Sequence, residues 1–221
     1  HKSVCTFVTW WYTVNSYMRI IKWILFAFLA ISVGLYPIIY LLIKARFGLL
    51  LSKSDELLTN QLWNVAFYQH IIFGGIALLT GWSQFSSKLR QRYLNTHRLL
   101  GKVYVVVCLL SGSAALYLAF HATGGWVAGL GFGALGTFWI YTTVKAFLSI
   151  RQKQITQHQA WMIRSYALTW AAVMLRIYLP LSQIAQIDFI DAYRVIAWLC
   201  WVPNLLAAEW IISRMRLPRF I

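Results

Sequence analysis

The chain has 221 residues, of which 60% are hydrophobic and only 11% charged, with a mean hydropathy of +0.63. A water-soluble domain carries about 25% charged residues, so this composition excludes an ordinary soluble enzyme. The formal charge of +15 does not indicate nucleic acid, because the basic residues stand beside apolar runs, where they set topology and meet anionic lipid.

Residues 1–20 open with Trp10, Trp11, Tyr12 and Tyr17, ring types that prefer the headgroup region, and are expected as an interfacial segment. They lack the short basic region and small-residue cleavage site of a signal peptide. A spanning helix needs about 20 apolar residues, and six such runs follow. They fall at about Ile21–Ile43, Leu62–Phe85, His97–His121, 126–149, His158–Leu179 and Arg194–Ile212. Pro37 is expected to kink the first, Pro180 to end the fifth and Pro203 to interrupt the sixth. The fold class is therefore all-α, a polytopic integral membrane protein. One six-helix domain over residues 21–213 precedes a basic tail, 214–221.

Lys88, Arg90 and Arg92 follow span two, Arg151 and Lys153 follow span four, and Arg214, Arg216 and Arg219 follow span six. Asp55, Glu56, Asp188 and Asp191 all follow spans one and five. The positive-inside rule then puts both termini in the cytoplasm. Cys5, Cys108 and Cys200 have no CxxC spacing, which supports neither a disulfide framework nor a zinc site.

Ionisable side chains inside spans face the bundle interior and mark function. His97 and His158 each open a span that leaves the same face, so their rings share a depth, with Arg98 adjacent and Arg164 within two turns. Opposed imidazoles on different helices are the usual ligands of a membrane b-type haem, and guanidinium groups suit its propionates. A polar pocket for a quinone, or two wet rings capping helix starts, stay open as readings of the same pair. His70 lies deeper and shares a helix face with Gly74 and Gly81, a stripe that admits a close helix or a flat ring. Arg176 follows His158 by 18 residues, five helical turns, and needs an acceptor at its depth: a propionate, a quinone carbonyl, a tyrosine or a backbone carbonyl. Together His70 and Arg176 mark a second pocket, for a quinone headgroup or a second haem. His121 makes a poor partner for that haem, since 24 residues of helix turn it to a different face from His97. Glu209 is expected to pair with Arg214 or Arg164. The glycines of span four, Gly129, Gly131, Gly133 and Gly136, read as helix-packing positions, because the strand and lysine of a phosphate loop are missing.

Three blocks carry a family resemblance: His70–Phe85 (HIIFGGIALLTGWSQF), His97–Tyr104 (HRLLGKVY), and His158–Pro180 with WMIRSYALTW and LRIYLP. Over about residues 66–182 the chain resembles an uncharacterised family of bacterial membrane proteins, a domain of unknown function. His70, His97, His158, Arg164 and Arg176 match that pattern, and His121 does not. The resemblance implies a multi-pass protein of the bacterial cytoplasmic membrane. The His-Arg-x-x-Gly opening also resembles helices of haem A synthases and other b-type membrane cytochromes.

These observations lead to two expectations. The first is a membrane redox protein holding haem b through His97 and His158, with Arg98 and Arg164 on the propionates, exchanging electrons with a quinone. The second is a haem-free accessory subunit of a larger membrane complex, or a carrier of a hydrophobic molecule. No Ser-His-Asp set, paired carboxylates or HExxH stand out for hydrolytic chemistry.

Overall fold

The computed structural model describes residues 2–43 and 46–216, with backbone alone for residues 2–16, 19 and 216. His1, Lys44 and Arg219 lie outside it, as do the side chains of Cys5, Trp10, Trp11 and Tyr12. Every membrane span is helical, as it must be where no water satisfies the backbone.

Helix α1 (Lys2–Leu35) carries the aromatic lead-in and most of the first span as one element, and α2 (Pro37–Leu42) resumes after a break at Tyr36. Pro37 takes the first position of α2, where a missing N–H goes unnoticed. The following connection folds into a 3-10 turn, Gly48–Ser52, and the short helix α3 (Asp55–Thr59). Asn60 then caps α4 (Gln61–Gly81), its Oδ1 accepting the Trp63 N–H at 3.1 Å. A 3-10 turn extends that span to Phe85, and α5 (Ser87–Arg92) carries the basic loop to α6 (Leu94–Ala119). Helix α7 (Gly125–Arg151) is the glycine-rich fourth span.

The fifth span consists of α8 (Ile155–Thr169) and α9 (Ala171–Ile184), separated by a turn at Trp170. Pro180 does not end it: the helix runs on to Ile184 with Pro180 inside. Proline removes one N–H and crowds one carbonyl, which the close neighbours of a membrane helix tolerate. The sixth span consists of α10 (Phe189–Leu199) and α11 (Val202–Arg216), broken ahead of Pro203 as its position implies. It begins before Arg194 because Asp188 accepts the N–H groups of Ile190 and Asp191 at 2.8 and 3.2 Å. Among the described residues, six helical segments are long and apolar enough to cross a membrane.

Helix α4 packs between α1 and α6, and α7 packs against α6, α8 and α10. The fifth span is central, touching α1, α4, α7, α10 and α11. Glycines set the closest approaches: a Cβ at Gly75 would stand 2.5 Å from the Gly34 carbonyl, and one at Gly131 would stand 2.9 Å from that of Ala197. The packing role expected of the fourth span's glycines is seen at Gly129 and Gly131, which face the carbonyls of Ala119 and Ala197.

A polar knot ties α6, α7 and α8 inside the bundle. The Tyr104 hydroxyl lies 2.9 Å from Ser165 Oγ and 2.8 Å from Thr169 Oγ1, Thr143 Oγ1 lies 2.7 Å from Ser165 Oγ, and Trp139 Nε1 donates to Thr169 Oγ1 at 2.9 Å. All five side chains are buried, and in hydrocarbon such bonds hold helices together.

Candidate functional site

The basic end of the bundle gathers His97, His158, Arg90 and Arg98. His97 and His158 are each the fourth residue of their helices, α6 and α8. Their imidazoles interact electrostatically with each other, and His97 also feels Arg90 and Arg98. Their ring nitrogens differ in use. His158 Nδ1 lies 2.9 Å from the carbonyl of Ala146 on α7. A carbonyl only accepts, so Nδ1 carries the proton and Nε2 keeps its lone pair. His97 Nδ1 is buried with no partner, and so is Gln84 Nε2 nearby on the loop side of α4. Gln84 Oε1 stands 3.7 Å from where a Cβ on Gly101 would lie, one turn along α6 from His97. Two orphaned polar atoms thus flank the start of α6.

The arginines of this end divide. Arg164 turns to α11, where Nε and Nη2 donate to Glu209, and its guanidinium lies 4.5 Å from the Trp161 ring. One of the two partners expected for Glu209 is thereby found, and Arg164 is committed to that carboxylate. Arg98 is exposed at the basic end. Arg90, which the sequence reading left in a loop, folds back from α5 with Nη1 donating to the Gln84 carbonyl at 3.0 Å.

The other half of the bundle holds the second cluster. His70 Nδ1 lies 3.1 Å from both the carbonyl and the Oγ of Ser111, while Ser111 Oγ donates to the His70 carbonyl at 2.8 Å. With the hydroxyl proton spent on that carbonyl, His70 Nδ1 is the donor and Nε2 is left free. The Gly74–Gly81 stripe admits the chain's own groups: Gly74 faces Ser111, and a Cβ at Gly81 would meet the Tyr166 ring at 2.3 Å and the Tyr104 ring at 2.9 Å.

Arg176 lies over Tyr36, its guanidinium 4.6 Å from the ring centroid, and Nη1 donates to the Ala172 carbonyl at 3.0 Å. Two of its four expected acceptors, a tyrosine and a backbone carbonyl, are therefore present. Nε is buried without a partner. Tyr40 and His70 are within electrostatic range of the same guanidinium. The register from His158 to Arg176 holds only along an unbroken helix. The turn at Trp170 interrupts it, and the two side chains meet different neighbours, α7 and the α1–α2 junction. The structure thus sets His97 within electrostatic range of His158, and His70 within range of Arg176.

His121 belongs to neither. Its Nδ1 lies 3.3 Å from the Tyr117 carbonyl one turn back, and its own carbonyl accepts from Lys53 Nζ. Among the described residues, no three His, Cys, Asp or Glu side chains converge as a metal site. Tyr36, Tyr40 and Ser111 were missed by the sequence reading; the signal available was their spacing, Tyr36 and Tyr40 being one turn apart across Pro37.

Residues 67–212 match the model of a family described as predicted membrane protein (DUF2306), and the chain belongs to that family. The match begins three residues before the first of the three sequence blocks and runs on through the sixth span to Ile212. No curated protein and no solved structure matches the chain.

Proposed function

We propose that this member of the DUF2306 family is a redox protein of the bacterial cytoplasmic membrane, its basic loops and both termini on the cytoplasmic side, holding one b-type haem through His97 and His158. What carries the reading is the hydrogen-bonding state of the two rings. His158 is anchored through Nδ1–H to the Ala146 carbonyl, which leaves the lone pair on Nε2. Metal-ligating histidines are commonly oriented in this way, because the carbonyl fixes tautomer and ring plane together. His97 has a buried Nδ1 with unused hydrogen-bonding capacity. His97 and His158 are therefore the residues that would hold the haem iron.

A b-type haem supplies a one-electron couple. The chain's residues bind and orient. Arg98 and Arg90 offer guanidinium groups at the basic end for carboxylates, and Gln84 Nε2 offers an unspent donor beside them. Arg164 contributes to this end through its hold on α11 rather than as a free cation. A quinone is the exchange partner in this reading, since it dissolves in the bilayer that the spans occupy.

The experiment is an absorbance spectrum of the protein purified in detergent after growth with sufficient haem precursor. Soret and alpha bands of a low-spin bis-imidazole haem are expected in the wild type, with loss of the alpha band in His97→Ala and in His158→Ala. A folded, colourless wild type would overturn the reading. A second reading, a haem-free binder of an amphipathic molecule with a hydrophobic body, is favoured by a cavity of about 470 Å³ at the opposite end of the bundle, lined by Tyr40, Leu41, Leu50, Leu58 and Tyr68 together with the polar Arg46 and Thr59.

A further inference from the structure

We propose that Arg176, with Tyr36, Tyr40 and His70 around it, is a binding site for the oxyanion head group of an acyl-chain lipid, a carboxylate or a phosphodiester. The site goes beyond the redox reading and stands apart from His97 and His158.

The first observation is an uncompensated cation. Arg176 lies inside the fifth span, Ile155–Ile184, and meets no carboxylate among the described residues. Its guanidinium spends one nitrogen, Nη1, on the Ala172 carbonyl. Nε is buried and unpartnered, and Nη2 makes no hydrogen bond among the described residues. The edge left over, Nε with Nη2, is the planar two-donor fork that matches a carboxylate or phosphate. Contact with the face of Tyr36 compensates a cation less well than an ion pair does, so the tyrosine face does not balance a buried unpaired charge.

The second observation is which polar groups lie within electrostatic range of the guanidinium, Tyr40 and His70, with Tyr36 under its face. A Cβ at Gly48 would stand 2.9 Å from the Tyr40 hydroxyl and 3.7 Å from that of Tyr36, so both hydroxyls converge on this glycine, whose φ of +57° keeps it without a side chain. His70 offers its free Nε2. A neutral quinone carbonyl would take one hydrogen bond here and leave the charge uncompensated, whereas an oxyanion satisfies the fork and the charge together.

The third observation is room for a chain. The cavity of about 470 Å³ shares Tyr40 with the cluster and is otherwise walled by Leu41, Ile43, Leu50, Leu58 and Tyr68, with Arg46 and Thr59 as its polar members. An acyl chain lying against Tyr40 would have apolar neighbours while its head reached Arg176.

The test is a titration of the purified protein in a maltoside detergent, which carries no oxyanion, with radiolabelled palmitate, with methyl palmitate and with phosphatidylglycerol as competitor. Saturable palmitate binding is expected, about tenfold or more weaker for the ester and for Arg176→Gln. Arg176→Lys, which keeps the charge and loses the fork, is expected to fall between. Competition by phosphatidylglycerol identifies the phosphodiester as the natural head group, and its failure identifies the carboxylate. If wild-type protein binds palmitate no better than its methyl ester, and phosphatidylglycerol fails to bind saturably, the site does not exist. Binding unchanged in a folded Arg176→Gln or Tyr40→Phe protein would equally overturn it.

Discussion

Arg164 and Glu209 form a two-point ion pair between α8 and α11, Nε to Oε1 at 2.5 Å and Nη2 to Oε2 at 2.7 Å. The arginine side chain is 15% exposed and the glutamate 48%, so the pair lies on the outer side of the bundle, within the fifth and sixth spans, rather than in its core. Exposed pairs are worth about 0–1 kcal/mol, and the two-donor geometry puts this one near the top of that range. A double-mutant cycle of Arg164→Ala and Glu209→Gln, read by thermal unfolding in detergent, is expected to give a coupling of about 1 kcal/mol. Arg164→Ala should cost more than Glu209→Gln, because it also removes the stacking on Trp161. Strict additivity would show that the pair holds nothing.

Tyr104→Phe tests the polar knot. The variant keeps the ring between α4 and α8 and removes the one hydroxyl shared by Ser165 and Thr169. Both hydroxyls retain other partners: Thr143 for Ser165, Trp139 and the Ser165 carbonyl for Thr169. The cost is therefore that of a bond lost rather than of groups stranded, about 1–2 kcal/mol. Ser165→Ala should cost at least as much, since it unties both Tyr104 and Thr143. An unfolding midpoint equal to wild type in both variants would show that the knot adds nothing to stability.

Six spans were legible because apolar runs of about 20 residues leave little else for the chain to do. Their breaks were half legible. Pro37 and Pro203 fall at helix starts, where the lost N–H costs nothing, while Pro180 sits inside α9 and the actual turn, at Trp170, carries neither glycine nor proline. Tertiary packing of Trp170 on Phe26, stacked at 4.7 Å, is not written in local sequence. That His97 and His158 stand at matching positions, each the fourth residue of its helix, was legible from where their spans open. The partners of Arg176 did not, because Tyr36 and Tyr40 reach it from a span far away in sequence.

Two glycines on facing sides of the bundle should respond in opposite ways to alanine. At Gly75 a Cβ would lie 2.5 Å from the Gly34 carbonyl and 3.1 Å from Pro37, backbone and a rigid ring that cannot step aside. At Gly101 the nearest atom is Gln84 Oε1 at 3.7 Å, ordinary contact. Gly75→Ala is expected to force α1 from α4 and lower stability by about 1–3 kcal/mol, as overpacking does. Gly101→Ala is expected to leave it unchanged or raise it by up to about 1 kcal/mol, since alanine is the better helix former. Equal unfolding midpoints would contradict this picture of the two interfaces.

Lys53, in the loop between the first two spans, supplies the pH dependence. Burial pushes its amine down from the ordinary lysine range to about 8. Nζ donates to the His121 carbonyl, and the nearby Ser52 and Thr123 hydroxyls, 3.0 Å apart, bring no negative charge. Asp55 follows two residues later but pairs with Arg46. An unfolded lysine holds its proton to about pH 10.4. Between about pH 8 and pH 10 the unfolded chain therefore binds more protons at this position than the folded one, and stability rises with pH across that window. Below about pH 8 both states are protonated and the contribution is flat. Acylation of Lys53 by an amine-reactive ester, followed by peptide mass spectrometry, should give a rate profile with its midpoint near pH 8. In Lys53→Met the rise in unfolding midpoint over the same window should shrink. A labelling midpoint near pH 10, with the slope unchanged in the variant, would place this amine in open water instead.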